Sequence, residues 1–177
     1  MTAATRPHLL SLEEWRALGE DTASRVELQE GVLIVSPRPS SKHSLALSRL
    51  WAVLDAAAPE QYAVREEIDV ILDPRTPATV RVPDVVVLRE GAQEPYSAAD
   101  VLLAVEVLSP GTRRVDLVMK RSEYADAGIP HYWIVDLDTS TLEALVLSGD
   151  GYESVTATGT YAVSEPFAVT VDLARLA

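Results

Sequence analysis

Two runs of consecutive apolar residues, Val85-Val86-Val87-Leu88 and Val101-Leu102-Leu103-Ala104-Val105, set the strongest limit on what this chain can fold into. A strand with one wet face alternates apolar and polar residues, so an unbroken run implies a central strand covered on both faces. Helices must then flank a sheet on both sides, in an α/β or mixed α+β arrangement. The second run continues into a lone carboxylate, Glu106, before Val107 and Leu108. Withdrawn from water without a partner, that carboxylate would cost several kcal/mol. Something must neutralise it.

The rest of the chain supplies the layers. Ser11-Leu12-Glu13-Glu14 has the capping-box order, with Ser at the N-cap and Glu three residues on, and predicts a short helix stopped by Gly19. Segments 25–28 and 32–36 flank Gln29-Glu30-Gly31, which predicts a hairpin with Gly31 at a position needing positive φ. After a loop over 37–41, Leu45, Leu47, Leu50, Trp51 and Leu54 recur at near-helical spacing and predict a helix over 43–58. Short β-branched or aliphatic runs at 62–66, 68–72, 82–88 and 101–108 predict a mixed sheet. Ser109-Pro110-Gly111-Thr112 breaks the chain, a third helix is predicted over 115–127, and 132–135 and 142–147 return to strand. The tail, 153–177, reads as edge hairpins or an interaction surface. At 177 residues, 47% of them hydrophobic, the chain is expected to form a single domain with its own core.

Composition removes several function classes. With no cysteine there is neither a disulfide framework nor a zinc knuckle, and a reducing cytoplasm fits. No apolar run approaches the roughly 18 residues of a membrane span, so no membrane partner is expected. A formal charge of −12 opposes nonspecific binding to nucleic acid, which relies on Lys and Arg displacing counterions. Between Glu106 and Tyr124, however, Arg113, Arg114, Lys120 and Arg121 outnumber Glu106, Asp116 and Glu123. Any DNA contact must be local, and Arg113, Arg114 and Arg121, with Lys42, are the candidates. Only Lys42 and Lys120 are lysines, against thirteen arginines. An ammonium is a compact charge whose pKa can be lowered, whereas a guanidinium stays protonated.

Asp84 follows Pro83 at the start of one apolar run, and a neighbouring or antiparallel pairing with the other run would bring it to the same end of the sheet as Glu106. Two hard oxygen ligands with a backbone carbonyl such as that of Val107 suit Mg²⁺ or Mn²⁺. Taken alone, Asp84 reads more readily as a turn residue, and Glu106 equally well as the partner of a buried arginine such as Arg81. On the third helix Asp116, Lys120 and Tyr124 recur every fourth residue and share a face. An exposed pair of that spacing is the usual outcome, yet the tight Ser-Pro-Gly loop folds this helix back over the strand end that carries Glu106. Lys120 can then reach the metal. His43, beside Lys42 at the start of the second helix, could be a metal ligand, a DNA contact or an ordinary first-turn residue. Spacing alone favours the last.

Taken in order, Glu27-Leu-Gln-Glu-Gly31, Pro39 with His43, Pro83-Asp84-Val-Val-Val-Leu, Val105-Glu106-Val-Leu-Ser-Pro110, Asp116 to Lys120, and Tyr124-Ala-Asp-Ala-Gly-Ile-Pro-His-Tyr-Trp-Ile-Val-Asp136 form a pattern. It resembles the Uma-two family of restriction-endonuclease-like proteins, placed in the PD-(D/E)XK nuclease superfamily, over about residues 9–152. The resemblance implies a restriction-endonuclease-like core with an added N-terminal hairpin and C-terminal strands, and Asp84 and Glu106 as ligands of a catalytic metal. It also implies that Glu27 joins the metal site. One departure is visible: two residues after Glu106, where the superfamily carries its catalytic lysine, stands Leu108. The family's pattern implies that Lys120 takes that role from the following helix.

The expected function is hydrolysis of DNA phosphodiester bonds by a Mg²⁺- or Mn²⁺-dependent endonuclease, with Asp84, Glu106, Lys120 and Glu27 as its catalytic set. By analogy with half-site recognition a homodimer is expected. Two rivals stand beside this: a catalytically silent dimeric scaffold that keeps the fold, and a hydrolase of a small or modified-nucleotide phosphodiester, for which global acidity matters less.

Overall fold

The computed structural model describes residues 8–19, 24–36, 39–109, 113 and 115–177, except for the side chains of residues 115 and 116. Ser11 caps α1 (Leu12–Ala17) as the sequence predicts. Its hydroxyl accepts from the Glu14 N–H at 3.2 Å while the Glu14 carboxylate accepts from the Ser11 N–H at 2.8 Å. The chain then forms the hairpin of β1 (Arg25–Gln29) and β2 (Val32–Ser36), and α2 (Ser41–Ala57), whose N-cap is Ser40. There follow β3 (Ala63–Glu66), β4 (Val70–Asp73), β5 (Thr79–Arg81), β6 (Val85–Leu88) and β7 (Val101–Val107). After α3 (Lys120–Asp126) come β8 (His131–Asp136), β9 (Thr141–Ser148), β10 (Gly151–Thr158), β11 (Thr160–Val163) and β12 (Val169–Asp172).

Two sheets result, with a separate hairpin. The larger has the order β10-β9-β8-β7-β6-β3, and the smaller β2-β1-β5-β4. Within the larger sheet β7 and β8 are parallel and the other pairs antiparallel, so the sheet is mixed as expected. The parallel step needs a crossover, and α3 lies in it. Leu103, Val105 and Val107 turn to one face of β7, where Leu47, Leu50 and Leu54 of α2 cover them. Ala104 and Leu108 turn to the other, against Tyr124 of α3 and Ile129. Every residue of β6 and β7 is buried, as unbroken apolar runs demand.

Three expectations need correction. The strand predicted over 82–88 is β6 alone and begins only at Val85, while β5, which no predicted strand covered, ends at Arg81 before the break at Val82-Pro83-Asp84. Pro83 has no N–H for a ladder, so pairing stops there and the chain passes from one sheet to the other. The third helix is not α-helical throughout: Val115–Met119 form a π-helical turn before α3 begins at Lys120. The tail forms edge hairpins, one of the two readings given for it: β10 is the edge strand of the larger sheet, and β11 pairs with β12. β10 pairs along its whole length with β9, and Phe167, Val169, Val171, Leu173 and Leu176 enter the core cluster that α2 covers. The family likeness read to end near Tyr152 therefore stops short of residues that close this core.

The β1–β2 turn holds Glu30 and Gly31 at φ 46° and 78°, the doubly positive geometry of a two-residue hairpin. Gly31 donates to the Ala78 carbonyl at 2.8 Å and accepts from the Leu10 N–H at 2.9 Å, tying the hairpin to the residues before α1 and β5. A Cβ there would lie 2.8 Å from both Leu10 N and Leu9 Cβ. Gly31→Ala is expected to cost more than about 1 kcal/mol, read as a lower urea midpoint at unchanged m-value.

Candidate active site

The register of β6 on β7 builds the centre. Val85 faces Val105 in an antiparallel pair, so the next residues outward, Asp84 and Glu106, stand opposite one another at one end of the two strands. Parity gives them the same face, because Val86 and Leu88 on one strand and Ala104 on the other all pack towards α3. Both acids are buried. The smaller sheet adds a second layer. Leu28 pairs with Val80, which sets Glu27 across from Arg81 at the point where β5 runs into Asp84. On β1 the apolar Leu28 packs with Ala78 and Val80, while Arg25 and Glu27 turn the other way, into the site.

α3 completes the arrangement. Lys120 and Tyr124, one turn apart, both donate to Glu106 Oε1, at 2.7 Å and 3.0 Å. Lys120 also pairs with Glu27 Oε1 at 3.0 Å. The expected every-fourth-residue face is thus realised for Lys120 and Tyr124, while the Asp116 side chain lies outside the described residues. Burial, then Glu106, push the Tyr124 hydroxyl well above its ordinary value, so it serves as a fixed donor. From the opposite side of the sheet, His43 on α2 reaches the Val107 carbonyl with Nε2 at 3.0 Å and Asp84 Oδ2 at 3.2 Å. The Val107 N–H donates to the same Asp84 oxygen at 2.6 Å. His43 is therefore more than a first-turn residue. Its Nδ1 is buried without a hydrogen-bond partner.

Two arginines that the motif reading left out of the site are central to it. Arg25 donates to Asp84 Oδ1 at 2.5 Å, to Glu106 Oε2 at 3.3 Å and to the Val82 carbonyl, and lies 3.7 Å from Glu27. Arg81 does not pair with Glu106, the partner first considered for it. It binds Glu27 Oε2 at 3.1 Å and holds Glu123 in a two-point contact, each bond 2.7 Å. The alternation Arg25-Val26-Glu27-Leu28 was the available signal, since it places Arg25 on the same strand face as Glu27.

Three buried carboxylates thus meet three cations. Burial on its own would raise Asp84, but the His43 hydrogen bond and the Arg25 charge bring its carboxyl down to about 2. Burial likewise opposes ionisation of Glu27, and Lys120, Arg25 and Arg81 hold it below the usual range. Burial works against the Arg25 charge too, yet Glu106, Asp84 and Glu27 raise it well above normal.

The proposed nucleic-acid contacts lie nearby and are already engaged. Arg113 pairs with Asp136 at 2.8 Å, at the same end of the sheet as Glu106, and Arg121 pairs with Glu143 at 3.0 Å. Lys42 reaches the Leu137 carbonyl at 3.2 Å and Asp138 at 3.5 Å. Arg114 lies outside the described residues.

The donor chemistry fits a hard divalent cation, for carboxylate oxygens and the Val107 carbonyl gather here, and a positive group already bridges Asp84 and Glu106. That group is the Arg25 guanidinium. Among the described residues, no group of three or more acidic or histidine side chains is placed to hold a metal. Among the same residues, no helix is long and apolar enough to cross a membrane.

The fold is shared with the crystal structure of "a putative nuclease belonging to DUF820 from Anabaena variabilis", at a TM-score of 0.75 and 21% identity, over 94% of this chain and 97% of that one. Residues 10–174 match the Uma2 family, described as "Putative restriction endonuclease", and the chain belongs to that family. The match runs well past Tyr152. No curated protein matches the chain.

Two outcomes follow from the charge arrangement. Lys120→Met leaves Glu106 and Glu27 short of a cation and should destabilise by about 3 kcal/mol, with part recovered in Lys120→Met/Glu106→Gln, as a double-mutant cycle in urea would show. Asp84 has a folded pKa of about 2 against an ordinary 3.8, so its contribution is full above its ordinary value and is lost as pH falls towards 2. Thermal melts of Asp84→Asn should show a flatter stability profile than the parent chain across that window.

Proposed function

We propose that the chain is a divalent-cation-dependent nuclease that hydrolyses phosphodiester bonds of DNA, with Mg²⁺ or Mn²⁺ held by Asp84 and Glu106. The observation carrying this is their juxtaposition: two buried acids, opposed across adjacent strands on one face, already converge on a single positive group. Glu27 stands behind them and would complete or orient the ligand set. A cation so held would polarise a phosphoryl oxygen and lower the pKa of a bound water.

The chain's own residues supply the rest. Lys120 and Tyr124 fix the orientation of Glu106 through Oε1, and His43 and the Val107 N–H fix that of Asp84 through Oδ2. Each carboxylate is thereby held by donors on one oxygen while the other, Asp84 Oδ1 or Glu106 Oε2, points into the shared space. Lys120, anchored between Glu27 and Glu106, is a donor placed to orient the attacking water or to balance charge at the phosphate.

One observation favours a second reading. Arg25, Arg81 and Lys120 together neutralise the acids with no added ion, and Arg113, Arg121 and Lys42 each face an acid. A silent module that keeps the nuclease fold would have this arrangement, and it need not bind Mn²⁺. A small phosphodiester substrate would also demand less of a chain whose net charge is −12.

Purified protein with supercoiled plasmid and Mg²⁺ or Mn²⁺ is expected to nick or linearise it, and chelation to stop it. Asp84→Ala and Glu106→Ala should each lower the rate by about 100-fold or more, since even the loss of an outer partner of a metal ligand costs 10–100-fold. Undiminished cleavage by Asp84→Ala would remove this centre from the reaction. Turnover of a chromogenic phosphodiester without plasmid cleavage would move the substrate to the small-molecule class.

A further inference from the structure

We propose that Arg25 is an exchangeable counter-ion, which holds Asp84 and Glu106 together until a divalent cation takes the same oxygens and turns the guanidinium outward. This rests on the reading of those two acids as cation ligands and assigns a role to a residue that reading leaves out.

The partition of oxygens points to exchange. Asp84 Oδ2 faces the Val107 N–H and His43, and Glu106 Oε1 faces Lys120 and Tyr124. The opposite oxygens, Asp84 Oδ1 and Glu106 Oε2, both face Arg25. Arg25 therefore holds the pair of oxygens that a bridging cation would need. Two positive groups in that space would repel strongly at low effective dielectric, so occupancy by one excludes the other.

The three cations of the site are not equivalent. Arg81 is fully buried and gripped at two points by Glu123, and Lys120, at the start of α3, is nearly as buried. Their removal would leave buried acids uncompensated. Arg25 instead borders a groove of about 1500 Å³, whose wall includes Trp15, Arg16, Val35, Val82 and Tyr96. Its side chain keeps 17% of its surface exposed, so it can leave the acids without crossing the core. Facing the groove, its planar donor fork suits two oxygens of a phosphate. Glu67, Asp69 and Glu94 also line the groove, so a phosphate entering there would depend on Arg25 and Arg16. A resident cation of this kind neutralises the acids in the resting protein and makes metal binding conditional.

The test is Mn²⁺ binding, followed by calorimetry and by the free-Mn²⁺ electron paramagnetic resonance signal, for the parent chain, Arg25→Gln and Arg25→Lys. Arg25→Gln removes the competitor, and its apparent affinity should rise about tenfold or more, because an affinity is reduced by the fraction of protein in the competent state. Arg25→Lys should stay nearer the parent. If the parent binds Mn²⁺ and a folded Arg25→Gln binds it no more tightly, exchange is overturned while the metal reading survives. If neither binds Mn²⁺, the metal reading falls and takes this inference with it. Should Arg25→Gln fail to fold, the parent chain decides: the guanidinium Nε–H resonance absent from the Arg25→Lys spectrum should shift as Mg²⁺ is added, and a resonance unmoved while Mg²⁺ binds would overturn the proposal. With a non-cleavable phosphorothioate duplex, Mg²⁺ should strengthen binding to the parent more than to Arg25→Gln, and equal gains would sink the phosphate contact.

Discussion

Charge compensation inside a region closed to water is the constraint around which this molecule is arranged. Glu27 comes from β1, Glu106 from β7 and Asp84 from the break just before β6, and none could be buried without a cation delivered from another element. β1 delivers Arg25, β5 delivers Arg81 and α3 delivers Lys120. Each acid is satisfied across an element boundary, so the ion pairs fix how the smaller sheet, the larger sheet and α3 meet. Apolar packing alone would tolerate a range of such meetings; donor and acceptor geometry does not.

That constraint explains how much of the site was legible in the sequence. Glu106 stood out because an apolar strand on either side makes a carboxylate costly, and Asp84 followed from the same argument once the two runs were paired. Lys120 and Tyr124 were legible through helical spacing, which survives because the π-helical turn ends at Met119, just before them. The turn itself has no sequence signature, so a uniform helix was the natural expectation. Arg25 was hidden for the opposite reason to Glu106. An arginine on an alternating strand has the pattern of a wet face, and nothing local says that this face closes against α3.

Elements at the margin of the fold were less legible than its centre. β5 has three residues between Pro77 and Pro83, too few for a periodicity to register, so the sequence reading passed over it. The C-terminal hairpin was legible as a hairpin, but its part in the core was not, because Thr and Gly dilute its apolar content. Its buried residues, Val169 and Val171, alternate with Thr170 and Asp172 as on any strand with one wet face, and what they cover is set by α2, more than a hundred residues earlier.

The break at Pro83 carries a mechanical consequence. β5 and β6 are one length of chain that changes sheets over three residues, and the last of these is Asp84. No slack loop separates the two sheets at this seam. A displacement of the outer hairpin, whether from a docked molecule or from a substitution near Gly31, reaches the Asp84 carboxylate through covalent bonds before compliant packing can absorb it. The seam couples the periphery of the smaller sheet to the spacing of the two central acids, much as a short lever couples a handle to a jaw.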